Sequence, residues 1–171
     1  KERGAKFVAV NPVRTGYQAI ADEWVAITPG TDGMFALSMM QVLLREGLID
    51  DEFLIRYTNG PQLVINNPGK QGDGLLLRDE QGNPQVWDQH TNGVQSALSA
   101  EVAPALIGEY EAPCGTPVRT AFSILMEKYM APEYAPEAAA KICGIDADSI
   151  ERIALEMAHV AFKETITIDT E

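Results

Sequence analysis

Cysteine and histidine are scarce in this sequence, with two of each among 171 residues. Cys114 and Cys143 stand far apart and belong to no Cys-x-x-Cys pair or Cys/His cluster, which excludes a disulfide scaffold and a zinc site of ordinary ligand spacing. His90 and His159 are likewise isolated; His159 reads as a surface or half-buried residue of a helix. Basic charge is short as well. Thirteen lysines and arginines face 25 acidic residues, and the resulting net charge of -12 repels nucleic acid unless cations cluster, which they do not. The richest apolar run, Met34 to Leu44, is interrupted by Ser38 and Gln41 and falls below the roughly 20 residues that span a bilayer, so no direct membrane insertion is expected. The first residue is Lys1, and no signal-peptide pattern follows it, so the start reads as an internal point of a longer chain and the compartment stays open.

Familiar catalytic patterns are missing too. There is no Gly-x-Ser-x-Gly and no Walker A loop, and Gly69, Gly72 and Gly74 fail the dinucleotide fingerprint in spacing and in context, reading instead as turn glycines. The acidic stretch Asp73 to Asp88 lacks the alternating oxygen ligands and closing glutamate of an EF-hand.

What is present is a core-forming composition, 46% apolar, arranged with α/β periodicity. Lys6 to Val10 is a short β-branched run that stops at Asn11-Pro12, as a buried parallel strand ends at a loop. Thr15 to Ala21 reads as a short helix and Trp24 to Ile27 as a second strand closed by Pro29-Gly30. Thr31 or Asp32 can cap a long helix to about Glu46, with Gly47 at its stop; its broad apolar surface fits a position between a sheet and another layer. A shorter helix follows from Asp50 to Tyr57. From about residue 59 to 117, glycine, proline and asparagine separate short β-like runs, and Leu75 to Leu77 with Gln85 to Trp87 predict a hairpin around residues 79–83. Helices are expected over Val118 to Met130, Pro136 to Cys143, and Ala147 or Asp148 to about Phe162, the last with capping-box spacing at Asp148 and Glu151. Thr165 to Asp169 predicts a closing strand.

Two segments lie where an α/β fold puts ligands: Asn11 to Thr15 after the first strand, and Pro29 to Asp32 leading into the long helix. Asn11 and Thr15 offer short hydrogen-bonding groups for a ribose or phosphate, and Arg14 a planar cation for phosphate or for stacking on a base. The Asp32 carboxylate accepts two parallel hydrogen bonds, which matches the N1–H and amino edge of guanine and mismatches adenine. Each residue has a structural alternative: Asn11-Pro12 as a turn, Arg14 as a solvated cation, Thr31 and Asp32 as helix caps.

The linked runs Arg3-Gly4-Ala5-Lys6-Phe7-Val8-Ala9-Val10-Asn11-Pro12-Val13-Arg14-Thr15, Ala21-Asp22-Glu23-Trp24 and Ile27-Thr28-Pro29-Gly30-Thr31-Asp32 resemble the dimethyl sulfoxide reductase family of molybdopterin oxidoreductases. The likeness continues through Leu48-Ile49-Asp50-Asp51-Glu52-Phe53 and returns in Tyr134-Ala135-Pro136-Glu137 and Cys143-Gly144-Ile145-Asp146. It covers roughly the first third and the last quarter of the chain. The resemblance implies that Asn11, Pro12, Val13, Arg14 and Thr15, with Gly30, Thr31 and Asp32, contact the guanosine half of one molybdopterin guanine dinucleotide. Many relatives carry aspartate at the position of Asn11.

The resemblance further implies a bis-molybdopterin guanine dinucleotide with molybdenum or tungsten in the whole protein, an iron-sulfur cluster elsewhere in it, and oxygen-atom or hydride-equivalent transfer as its chemistry. Implied partners are the remaining domains of the same chain and an iron-sulfur electron-transfer subunit. Neither cysteine has the context of a metal ligand, and no catalytic residue is nominated within this segment, which alone is expected to be inactive. The expected fold is a single three-layer α/β domain over residues 1–171, Rossmann-like, with a mainly parallel sheet, helices on both faces and a loop and hairpin insertion at 59–117. A free-standing nucleotide-binding or interaction domain without redox chemistry is the other reading.

Overall fold

The β-branched Val8 and Val10 favour an extended backbone and give the first strand, β1, Val8–Val10. In the computed structural model, which describes residues 4–165, the elements that follow are β2 (Glu23–Val25), α1 (Asp32–Arg45), α2 (Asp51–Tyr57), β3 (Leu63–Ile65), β4 (Gln85–Asp88), β5 (Gly93–Ser96), β6 (Glu109–Ala112), β7 (Thr116–Thr120), α3 (Ala121–Tyr129), α4 (Pro136–Cys143) and α5 (Ala147–Lys163). Single 3₁₀ turns occupy Gly16–Ala19, Pro113–Gly115 and Pro132–Tyr134. The chain divides into two units, one drawn from its two ends, up to Leu48 and from Tyr129 on, and one formed by Ile49–Lys128.

In the first unit β1 and β2 pair in parallel, with Val8 opposite Glu23 and Val10 opposite Val25. Helices α1, α4 and α5 pack together on this pair. Their shared core holds Val25, Ile27, Phe35, Ala139, Cys143, Ile145, Ile150 and Ile153. Pro136 starts α4, where its missing N–H costs nothing, and Gly144 ends it in the left-handed conformation at φ 71°. The cap of α5 is Asp146, whose carboxylate accepts the Ser149 N–H at 2.8 Å, rather than the Asp148 and Glu151 pair that the spacing predicts. Lys6, Glu23, Arg152 and Glu156 form an alternating-charge ring that ties the starts of both strands to α5, with Lys6 to Glu156 at 2.5 Å and Arg152 to Glu156 at 3.1 Å. Half-exposed pairs of this kind fix orientation more than they add stability.

The second unit is antiparallel. β3, β7 and β6 form one sheet in that order, and β4 with β5 forms a hairpin. Leu63, Ala112 and Val118 are buried beneath Leu77, Trp87, Val94 and Tyr110, and the Trp87 and Tyr110 rings stack 4.3 Å apart. The expected return around residues 79–83 exists as a tight turn: the Asp79 carboxylate accepts the N–H groups of Gln81 and Asn83, and Gln85 N–H reaches Leu77 C=O at 3.0 Å. The ladder of β4, however, runs to β5 rather than to Leu75 to Leu77.

Two expectations need correction. The sheet is not mainly parallel: among the described residues β1 and β2 are the one parallel pair, and the other five strands pair antiparallel. Residues 118–120, expected to begin a helix, instead end the strand β7, because Val118 and Thr120 alternate onto a buried face; α3 starts only at Ala121, where Thr120 Oγ1 accepts the Ser123 N–H at 3.2 Å. The expected closing strand from Thr165 to Asp169 lies outside the described residues beyond Thr165.

Candidate functional site

Both predicted ligand segments leave the carboxyl end of the β1 and β2 pair, the end where open α/β sheets bind ligands. Residues 11–15 continue β1. Asn11 N–H still reaches Val25 C=O at 3.1 Å, and then the chain turns away. The turn is made by the Asn11 side chain, whose Oδ1 accepts the Val13 N–H at 2.9 Å while Nδ2 donates to the Tyr17 hydroxyl. The turn alternative is therefore realised at Asn11. An aspartate here would keep both contacts, since the tyrosine hydroxyl can donate as readily as accept. Pro12, Val13 and Thr15 are exposed, and Thr15 precedes the 3₁₀ turn without capping it.

Arg14 is not simply solvated. Its guanidinium lies over the Trp24 ring, 4.6 Å from the centroid, and the Trp24 indole N–H donates to Asn11 C=O at 3.0 Å. Arg14, Gln18, Asp22, Glu23 and Trp24 line a polar recess of about 380 Å³. Tyr17 and Trp24 are the contributors that sequence reasoning missed. Trp24 stood within the matching run, but nothing local says that a strand residue will reach across to the neighbouring loop.

Residues 28–31 form the second segment. Pro29 and Gly30 occupy the middle of a turn closed by Thr31 N–H to Thr28 C=O at 3.2 Å, with Gly30 at φ 81°, the conformation a type II turn demands of its third residue. Thr28 N–H reaches Cys143 C=O at 2.8 Å, so the end of α4 holds this turn in place. The Thr31 hydroxyl donates to Thr28 C=O at 2.7 Å, and no side chain caps α1. Asp32 is the first residue of α1, exposed, and its carboxylate has no partner among the described residues. The capping role open to Thr31 and Asp32 is thus taken up by neither. The helix start leaves backbone N–H groups unpaired beside that carboxylate, an arrangement suited to anionic and hydrogen-bonding ligands.

The two segments are held separately, the first by Tyr17 and Trp24 and the second by α4. Together they offer a cation, a free double acceptor, helix amides and a polar recess. Donors and acceptors of this kind can engage an anionic, hydrogen-bonding ligand. Among the described residues no group of three or more histidine, cysteine, aspartate or glutamate side chains could hold a metal ion.

No family model matches the sequence. It is 44% identical over 177 residues to a sulfite dehydrogenase subunit of Allochromatium vinosum, a match covering 98% of this chain and 18% of that protein. It is 36% identical to a putative dimethyl sulfoxide reductase catalytic subunit of Halobacterium salinarum, covering 90% of this chain and 18% of that one. The alpha chain of dimethylsulfide dehydrogenase from Rhodovulum sulfidophilum is 32% identical, with 85% and 17% covered. The chain thus spans about 18% of the length of the first of these relatives. Among solved structures, acetylene hydratase from Pelobacter acetylenicus shares the fold at a TM-score of 0.50 and 21% identity, over 95% of this chain and 13% of that one. Sequence likeness along nearly the whole chain to several such proteins leaves one assignment: the chain belongs to the dimethyl sulfoxide reductase family of molybdopterin oxidoreductases.

Proposed function

We propose that this chain is the segment of a molybdopterin-dependent oxidoreductase that holds the guanosine half of a molybdopterin guanine dinucleotide. The observation that carries the reading is Asp32, an exposed carboxylate without a protein partner among the described residues, at the start of α1. A carboxylate that is spent on neither a cap nor an ion pair is free to accept the N1–H and amino group of guanine side by side. Arg14 neutralises nearby phosphate, and the turn at Gly30 lets backbone approach the ligand without a side chain between. Asn11, Pro12, Val13 and Thr15 shape the opposite wall, Asn11 chiefly through its loop-closing bonds.

When bound, the metal, molybdenum or tungsten, and the pterin supply the redox chemistry of oxygen-atom or hydride-equivalent transfer. The residues of this segment bind and orient the distal end of the cofactor. In this reading the β1 and β2 pair belongs to a larger parallel, Rossmann-like sheet of the whole protein, flanked by helices on both faces and interrupted by the insertion at 59–117. A second pterin dinucleotide, an iron-sulfur cluster and an iron-sulfur electron-transfer partner belong to that protein too; that the sulfite and dimethylsulfide dehydrogenase relatives are each one chain of a larger enzyme supports the last of these.

Asp32→Ser in the full-length protein tests the site, since serine keeps a capping oxygen but offers no double acceptor. Losing charge-assisted hydrogen bonds costs roughly 1.5 to 3 kcal/mol each, so guanine nucleotide and molybdenum recovered from the purified variant should fall well below wild type. Wild-type content of both would remove Asp32 from the site.

A further inference from the structure

Trp24 occupies an unusual place for a large aromatic residue. It sits in the middle of β2 opposite Ala9, and strand alternation turns it to the face away from Val25, so it is not part of the core that Val25 shares with the helices. Two contacts of its side chain go to the loop after β1. The indole N–H donates to Asn11 C=O at 3.0 Å, and the ring face carries the Arg14 guanidinium at 4.6 Å. Tyr17 holds the same loop from its other side through Asn11 Nδ2. One side chain thus fixes the start of the loop by a hydrogen bond and its cation by stacking.

Resting on the guanosine reading above, we propose that Trp24 is a positioning residue for Arg14, holding the guanidinium flat so that its free N–H edge is presented to cofactor phosphate. An arginine on a flexible exposed loop loses rotamer freedom when it binds an anion; a stacked guanidinium has given up most of that freedom beforehand. The stack uses the planar face and leaves the in-plane N–H groups available. Lysine at position 14 would keep the charge and lose this arrangement.

The test is a double-mutant cycle in the cofactor-free full-length protein, with GDP as the probe and its dissociation constant read by titration calorimetry. Ordering one rotamer-rich side chain on binding corresponds to roughly a three- to tenfold loss, so Trp24→Leu should weaken GDP binding by about that factor. Trp24→Phe, which keeps the ring face and is the milder change for folding, should recover most of it. In an Arg14→Ala background Trp24→Leu should add less than about twofold, because the group it positions is gone. Equal weakening by Trp24→Leu in both backgrounds would mean a merely structural role and overturn the proposal, as would wild-type affinity in Trp24→Leu. If Arg14→Ala leaves GDP binding unchanged while Asp32→Ser weakens it, positioning of Arg14 falls and the guanosine reading stands. Unchanged binding in both Arg14→Ala and Asp32→Ser defeats the guanosine reading itself.

Discussion

Single residues at this site act through backbone they do not belong to. Gly144 lies more than a hundred positions from the 28–31 turn, yet a Cβ there would meet Thr28 Oγ1 at 3.0 Å, and its φ of 71° is one that side-chain-bearing residues rarely adopt. Gly144 ends α4 with its N–H bonded to Ala140 C=O, and the preceding carbonyl of Cys143 receives Thr28 N–H. Replacing Gly144 by alanine should therefore cost about 1 to 2 kcal/mol from the left-handed conformation alone. Urea denaturation would measure that loss, and the strain should reach the turn that carries Gly30. The match of Cys143-Gly144-Ile145-Asp146 to the family thereby gains a physical content: glycine ends the helix, and aspartate caps the next one.

Among the elements, the β4 and β5 hairpin depends on one carboxylate. Asp88, the last residue of β4, accepts the Ala103 N–H at 2.8 Å, the Thr91 hydroxyl at 2.7 Å, and the N–H groups of Thr91 and His90. The Ala103 bond first, then those from Thr91 and His90, hold its carboxyl below the usual 3.8, down to about 2. A group depressed in this way lends stability that is complete above its unfolded pKa and is lost as pH falls through the folded one. The hairpin should therefore loosen as pH falls from about 3.8 to about 2. Asp88→Asn should flatten that acid limb, which circular dichroism or tryptophan emission from Trp87 can follow. The sequence offered Asp88 only as part of an acidic stretch unsuited to calcium. Its bonds come from residues as distant as Ala103, so its role is set by the path of the chain and not by spacing.

Taken as a whole, the molecule carries an unpaired strand edge and an apolar groove on the same unit. β1 pairs with β2 and with no other strand among the described residues, and beside it Val8, Val10, Met39, Met40, Leu43, Ile153 and Met157 line an open groove of about 430 Å³. Such surfaces promote association, while a net charge of -12 opposes it. Added salt shortens the range of that repulsion, so the 171-residue chain on its own should move from monomer toward larger species as ionic strength rises, in sedimentation velocity over a concentration series. A monomer at every salt and protein concentration would count against an exposed apolar face. Periodicity and punctuation determined α1, α4 and α5 almost to the residue, since proline at the start of α4, glycine at its end and apolar residues at helical spacing act locally. They also pointed to the two loops that follow the parallel strands, and to Asp32. What tertiary structure alone decided was how those signals are spent. Residues 118–120 became strand because β3 and β6 lie on either side of β7, and Trp24 reached back from β2 to the loop after β1. Both depend on partners outside their own segment, and no local pattern encodes which neighbour a strand edge or an indole will find.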